Sequence, residues 1–183
     1  MSAFRVREAA RLVRRGGVIA YPTEAVWGLG CDPLNGDAVQ RILAIKERPA
    51  EKGLILVAAD YRQVLPFIVP PADEQLRPVL ESWPGPATWL LPARPGLPWW
   101  INGGKAKVAV RVTAHAQTAE LCQQAGTPLV STSANASGRP PARTALEARL
   151  RCPGVDAILP SPTDGLARPT AIRDASSGEL LRS

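Results

Sequence analysis

Four segments of this chain carry short polar and cationic side chains at spacings that suit a phosphate- or carboxylate-bearing ligand. The densest is Pro128-Leu-Val-Ser131-Thr-Ser133-Ala-Asn135-Ala-Ser-Gly138, where an apolar run delivers hydroxyls and an amide into a glycine-containing loop. Such groups at the C-terminal end of a strand suit an anion or nucleotide site, and equally a network of Asx and ST turns. Lys46-Glu-Arg48-Pro-Ala-Glu-Lys52 places three cations within seven residues. Arg48 offers a planar fork and the lysines point charges for a triphosphate. Cations at a helix C-terminus also answer the helix dipole, and Glu47 and Glu51 are placed to pair with them. Tyr21-Pro-Thr23-Glu-Ala25-Val-Trp-Gly28-Leu-Gly30 reads as a strand end running into a glycine-rich turn, with Thr23 at the sheet rim. Trp83-Pro-Gly-Pro-Ala-Thr88 reads as a rigid turn that presents Thr88 to a phosphate or base. Arg111, at the end of Val108-Ala-Val-Arg-Val, suits a carboxylate partner or a place on a strand surface.

Other chemistries lack their residues. His115 is the single histidine, and Cys31, Cys122 and Cys152 form no CxxC pair, so zinc-ligand spacing is missing. A hydrolytic triad would have to use His115, and there is no GxSxG elbow. Neither GxxxxGK[ST] nor GxGxxG occurs. Phosphate chemistry here needs another scaffold.

The elements that must position these residues follow from periodicity and punctuation. Residues 5–15 have helical spacing stopped by Gly16-Gly17, and Val18–Tyr21 reads as a strand. Asp37 is placed to cap a helix over 38–47 that Pro49 ends, and Leu54–Val57 is the next strand. Residues 60–82 look helical but interrupted at Pro66, Pro70-Pro71 and Pro78. Strands are expected at 88–91, 108–112 and 129–132, helices at 116–125 and 144–151, and short strands near 156–159, 171–173 and 179–182. This alternation predicts an α/β sandwich around a mixed sheet. Gly103-Gly104 and Pro95-Gly96 would permit hinges around residues 94–107.

The 183 residues suit one domain over 1–183. No window approaches ~18 consecutive apolar residues, and the odd, scattered cysteines fit a reducing, cytoplasmic setting. Net charge is +6, with eleven cations against six acids over residues 92–183 and near balance before that. A basic face attracts polyanions such as RNA or the phosphates of a small ligand. Of the 22 cations only Lys46, Lys52, Lys105 and Lys107 are lysine.

Taken in order, these segments resemble the TsaC/YrdC family of threonylcarbamoyl-AMP synthases. The matches are Pro22-Thr-Glu with Gly28-Leu-Gly; Lys-x-Arg…Lys at 46, 48 and 52; Pro84-Gly-Pro-x-Thr88; Val108-Ala-Val-Arg-Val; and Ser131-x-Ser-Ala-Asn-x-Ser-Gly138. They span essentially the whole chain. The resemblance implies a YrdC-like fold, akin to dihydroxybutanone-phosphate synthase: a twisted open mixed sheet flanked by helices, with a concave basic site. It implies a nucleotidyltransferase that combines L-threonine, bicarbonate and ATP, with Mg²⁺ on the phosphates, into threonylcarbamoyl-AMP and pyrophosphate. Proteins of the TsaB, TsaD and TsaE type then move the threonylcarbamoyl group to N6 of adenosine 37 in tRNAs reading ANN codons.

By motif position, the resemblance makes Lys46, Arg48 and Lys52 the catalytic cations. It places Thr23 and Arg111 against threonine, and Thr88, Ser131, Ser133, Asn135, Arg143 and Thr170 along the nucleotide, with no dedicated metal ligand. Three departures stand out. Thr-Glu-Thr reads Thr23-Glu-Ala25, Lys52 is followed by Gly53 rather than proline, and Ser-Thr-x-Ile reads Pro169-Thr-Ala-Ile172. The C-terminal domain of the longer synthases is not expected. Two competing readings remain: a non-catalytic RNA-binding or ribosome-maturation protein, with Trp99-Trp100 beside Lys105 and Lys107 as its one aromatic-basic cluster, and a lyase on a related scaffold.

Overall fold

The first helix, α1 (Ala3–Arg14), shows how the sheet acquires one covered and one partly bare face. Its buried residues Val6, Ala9, Ala10 and Val13 recur at helical spacing and make one apolar stripe. That stripe packs with Leu121, Cys122 and Ala125 on Ile19 and Tyr21 of the sheet. The computed structural model describes residues 3–167 and 169–182.

The chain continues through β1 (Ile19–Pro22), β2 (Trp27–Gly30), α2 (Gly36–Lys46), a 3₁₀ turn (Ala50–Lys52), β3 (Ile55–Ala58), α3 (Tyr61–Val64), a 3₁₀ turn (Leu65–Phe67) and α4 (Asp73–Glu81). Then come β4 (Ala87–Pro92), α5 (Trp99–Asn102), β5 (Lys107–Val112), α6 (Ala116–Ala125), β6 (Leu129–Ser133), α7 (Ala145–Arg151), β7 (Ala157–Ile158), β8 (Ala171–Asp174) and β9 (Leu180–Arg182). Among the described residues the strands form one mixed sheet in the order β7-β1-β2-β6-β3-β5-β4-β8-β9. The pairs β1–β7, β3–β5 and β4–β8 are parallel and the others antiparallel.

Alternation along the strands sorts the two faces. Ala20, Trp27, Leu29, Leu56, Val110 and Val130 turn toward a core shared with Val39, Ile42 and Leu43 of α2 and Val79 of α4. Ile19, Tyr21, Val57 and Leu129 turn the other way, toward α1 and α6. These two helices cover that second face over β1 and one end of β3. Farther along it, Ser131, Ile55, Ala109 and Leu90 lie side by side in register on β6, β3, β5 and β4, where they floor open cavities.

The mixed α/β architecture expected from the sequence is the one observed. Three local readings change. The glycine-rich stretch after Tyr21 is a hairpin: β2 pairs with β1, Tyr21 opposite Gly28 and Pro22 opposite Trp27. Gly30 answers to packing, since a Cβ there would lie 2.6 Å from Cε1 of Tyr21 and 2.8 Å from the Val130 carbonyl oxygen. The cap of α2 is Asn35, whose side chain accepts from Ala38 N at 3.0 Å; Asp37 sits in the first turn as a charge on the dipole. Pro78 lies inside α4 rather than ending a helix.

The cap assignment is directly testable by urea denaturation. Asn35→Ala should cost about 1 kcal/mol of stability, and Asp37→Ala no more than about half of that.

Candidate active site

Two adjoining cavities, of about 270 Å³ and about 480 Å³, open on the bare part of the second sheet face. They share Arg48, Leu54, Ile55 and Arg182 in their walls. Thr23, Gly28, Arg111, Ser131, Ser133, Pro141, Pro169 and Thr170 line the smaller one. Lys52, Leu90, Ile101, Lys105, Lys107, Ala109 and Ile172 line the larger. Among the described residues the walls therefore carry six cations, Arg48, Lys52, Lys105, Lys107, Arg111 and Arg182, and no aspartate, glutamate, histidine or cysteine.

The elements explain how residues so far apart in sequence converge. Thr23 belongs to the β1–β2 turn, its amide and hydroxyl both donating to the Val26 carbonyl at 3.1 and 2.7 Å. Ser131 and Ser133 stand on alternate positions of β6, hence on one face. Arg111 is buried at the end of β5, with Nη1 donating to Thr170 Oγ1 at 2.7 Å and Nη2 lying 3.6 Å from Glu24 Oε2. Thr88 is fully buried beneath this group, its hydroxyl 3.3 Å from Thr170 Oγ1.

At the end of α2, Glu47 takes the left-handed conformation (φ 48°, ψ 47°), an unusual one for a residue with a Cβ. Lys46 and Arg48, on either side of it, consequently serve different surfaces. The Lys46 ammonium is buried and donates to the carbonyls of Ser133 and Asn135, the latter at 2.9 Å. The Asn135 amide in turn donates to the carbonyls of Ala136 and Arg139 at 2.9 and 2.6 Å. Lys46 and Asn135 thus build the loop after β6 from behind. Arg48 reaches the cavities instead, with Nη2 donating to the Gly53 carbonyl at 2.9 Å.

The electrostatics are those of an anion site. Burial lowers the proton affinity of Arg48. Desolvation lowers that of Arg182 as well, reinforced by repulsion from Arg111 and Arg48. Burial, with Arg48 close by, brings the Lys46 ammonium down to about 8. Lys107 is neutralised by Asp174 at 2.6 Å; against the effect of its own burial, that carboxyl is held at about 2 by hydrogen bonds from Lys107 and Ser176. Arg48 Nε and Arg111 Nε are buried without a hydrogen-bond partner. Unsatisfied buried donors are uncommon, and these two belong to cavity-lining cations, whereas the Tyr61 hydroxyl, also without a partner, lies outside both cavities.

Of the residues singled out from sequence, Thr23, Arg48, Arg111, Ser131, Ser133 and Thr170 line the smaller cavity, and Arg48 and Lys52 the larger. Lys46, Thr88 and Asn135 lie behind its walls. Arg143 is exposed, and its Nη2 donates to the Ala167 carbonyl at 2.8 Å, tying the start of α7 to the segment that leads into Thr170. Arg182 and the apolar floor of Leu54, Ile55 and Ala109 were not anticipated. Arg182 Nη2 donates to the Thr170 carbonyl at 3.0 Å, a placement that only the sheet order reveals. The glycines at 103 and 104 have positive φ as hinges would, yet the segment is pinned by Leu54 N to the Ile101 carbonyl at 2.8 Å and by Trp100 Nε1 to the Pro33 carbonyl at 3.1 Å.

The family model for Sua5, YciO and YrdC proteins, described as telomere recombination, matches residues 11–183. The chain belongs to the Sua5/YciO/YrdC family. A Halorhodospira halophila relative named threonylcarbamoyl-AMP synthase is 55% identical over 181 residues, covering 98% of this chain and 94% of that protein. A solved Sua5 from P. abyssi, doubly substituted, superposes over the whole chain with a TM-score of 0.94 and 32% identity. P. abyssi Sua5 complexed with L-threonine gives 0.92 and 31%. The chain spans 57% and 54% of those two Sua5 chains. Among the described residues of this family member, no helix is long and apolar enough to cross a membrane, and no group of three or more His, Cys, Asp or Glu is placed to hold a metal ion.

The depressed Lys46 gives a pH test. An amine with a lower pKa folded than unfolded adds stability above its unfolded value and loses it as pH falls through the folded one. From the ordinary 10.5 to about 8, wild type should therefore lose stability relative to Lys46→Met as pH falls, measured by denaturant titration at each pH.

Proposed function

We propose that this protein is a threonylcarbamoyl-AMP synthase that joins L-threonine, bicarbonate and ATP into threonylcarbamoyl-AMP, pyrophosphate and water. The observation that carries this reading is the pair of adjoining cavities whose walls, among the described residues, hold six cations and no carboxylate side chain. Naming of the Halorhodospira relative supports it, as does the occurrence of L-threonine with P. abyssi Sua5.

In this reading threonine occupies the smaller cavity, its carboxylate on Arg111 and its hydroxyl end toward Thr23. The threonine amine becomes a carbamate with the carbon of bicarbonate. A carbamate oxygen then attacks the α-phosphorus of ATP, and the bond from that phosphorus to the bridging oxygen breaks as pyrophosphate leaves. Ser131, Ser133 and Thr170 face the nucleotide, while Arg48, Lys52, Lys105 and Arg182 balance the charge growing on pyrophosphate. Such a transfer depends on alignment and preorganised charge rather than a protein nucleophile. Lys46, Thr88, Asn135 and Arg143 contribute by fixing the loops that carry these groups. The cavity walls offer hydroxyls but no carboxylate, which fits Mg²⁺ arriving on the nucleotide phosphates with its own waters.

We place residues 1–183 in one YrdC-like domain acting in the cytoplasm. The product's mixed anhydride requires prompt transfer, for which tRNA and proteins of the TsaB, TsaD and TsaE type are the proposed acceptors. A non-catalytic RNA-binding role has less support. The cations converge into cavities rather than along a groove, and Trp100 beside exposed Trp99 is spent on the Pro33 carbonyl.

Purified protein with ATP, Mg²⁺ and bicarbonate should release pyrophosphate only when L-threonine is added, with an AMP adduct detected by mass spectrometry. Absence of release from folded protein removes the synthase reading. Lys52→Ala and Ser133→Ala should each lower the rate of adduct formation roughly tenfold or more, with unfolding midpoints close to wild type.

A further inference from the structure

Glu24 is a charge that the proposed chemistry leaves unused. It follows Thr23 in the β1–β2 turn, is only 2% exposed, and is absent from the walls of both cavities. Its Oε1 accepts from Thr113 Oγ1 at 2.6 Å and from Ala114 N at 3.3 Å, just past the end of β5. Its Oε2 has no hydrogen-bond partner and lies 3.6 Å from Arg111 Nη2. Its carbonyl accepts from Leu166 N at 3.0 Å. One residue therefore fastens three walls of the smaller cavity: the turn carrying Thr23, the strand end carrying Arg111, and the segment leading to Thr170.

A buried guanidinium needs compensation. Arg111 is 5% exposed, and Glu24 is the carboxylate within ion-pair distance of it among the described residues. At 3.6 Å the pair is beyond a good hydrogen bond. Glu24 thus balances and aims Arg111 without itself taking a hydrogen bond from it, while Nη1 is held by Thr170 Oγ1.

We infer that Glu24 is a positioning residue for the amino-acid substrate, holding Arg111 in the orientation that receives the substrate carboxylate. This rests on the synthase reading above. Glutamine at this position keeps the shape and the acceptor for Thr113, but removes the charge and turns an amide donor toward the guanidinium. The effect belongs to threonine, because Arg111 is the group that the synthase reading sets against the substrate carboxylate.

The test is pyrophosphate-release kinetics on wild type, E24Q, E24D, R111K and the E24Q/R111K double variant. E24Q should raise the KM for threonine on the order of tenfold, with kcat and the KM for ATP within about twofold, and E24D should recover part of the loss. In the double variant the penalty should be no larger than for R111K alone, as for two residues acting through one contact. Threonine KM at the wild-type value in E24Q overturns the inference, as do equal rises for threonine and ATP with additive penalties. Should E24Q not fold, T113V keeps both charges and leaves Oε1 with the longer Ala114 amide bond alone. It should raise the threonine KM severalfold, and a wild-type value there also overturns the inference. Wild type without threonine-dependent release removes the synthase reading and this inference with it, whereas an active wild type with an unaffected E24Q removes the inference alone.

Discussion

Holding several guanidinium groups close together on one sheet face is the constraint around which the rest of this structure is arranged. Arg48, Arg111 and Arg182 come from the end of α2, from β5 and from β9, and burial together with repulsion from Arg111 and Arg48 depresses the proton affinity of Arg182. Like charges at such range repel, more strongly where walls exclude water. Their positions are fixed by acceptors that do not cancel the charge: the Gly53 carbonyl for Arg48, the Thr170 hydroxyl for Arg111 and the Thr170 carbonyl for Arg182. Among the described residues only Glu24 opposes one of them, from behind the wall. The protein keeps the positive potential directed into the cavities and supports it with neutral dipoles.

This arrangement divides labour between ligand-facing and scaffold-facing groups. Ser131 and Ser133 line the cavity, while the carbonyl oxygens beyond them are occupied by buried Lys46. Lys46 and Arg48 belong to one motif, and the left-handed Glu47 between them sends one to each task. A deep ammonium holds the loop after β6, and a neighbouring guanidinium lines both cavities, so substitution would remove a different kind of contact at each position.

Much of this was legible in the sequence. The alternation of elements gave the α/β class, and the segments around Thr23, Arg48, Ser131 and Ser133, each open to a structural reading alone, pointed to one site through their ordered combination; they line the smaller cavity. Roles within a motif were not legible. Nothing in Lys-x-Arg says which cation faces the ligand, since that depends on one left-handed residue. The second strand of the hairpin was read as a turn because Gly28 and Gly30 look like turn residues, whereas the glycine at 30 makes room for the Tyr21 ring across the hairpin. A strand was expected near 179–182, yet Arg182 escaped because its proximity to Arg111 exists only through the order β5-β4-β8-β9.

The last of these strands has a bearing on the energetics of ligand capture. β9 is three exposed residues at the sheet edge, paired only with β8, and such edges open locally at far smaller free energy than the sheet interior. Yet it supplies a cation shared by both cavities. An anion seated between Arg48 and Arg182 therefore staples the edge to the interior, and fraying of that edge and release of the anion become a single linked equilibrium. Affinity for an anion held there is set in part by how cheaply the three residues of β9 come undone, so the grip can be loosened without disturbing any residue of the sheet interior.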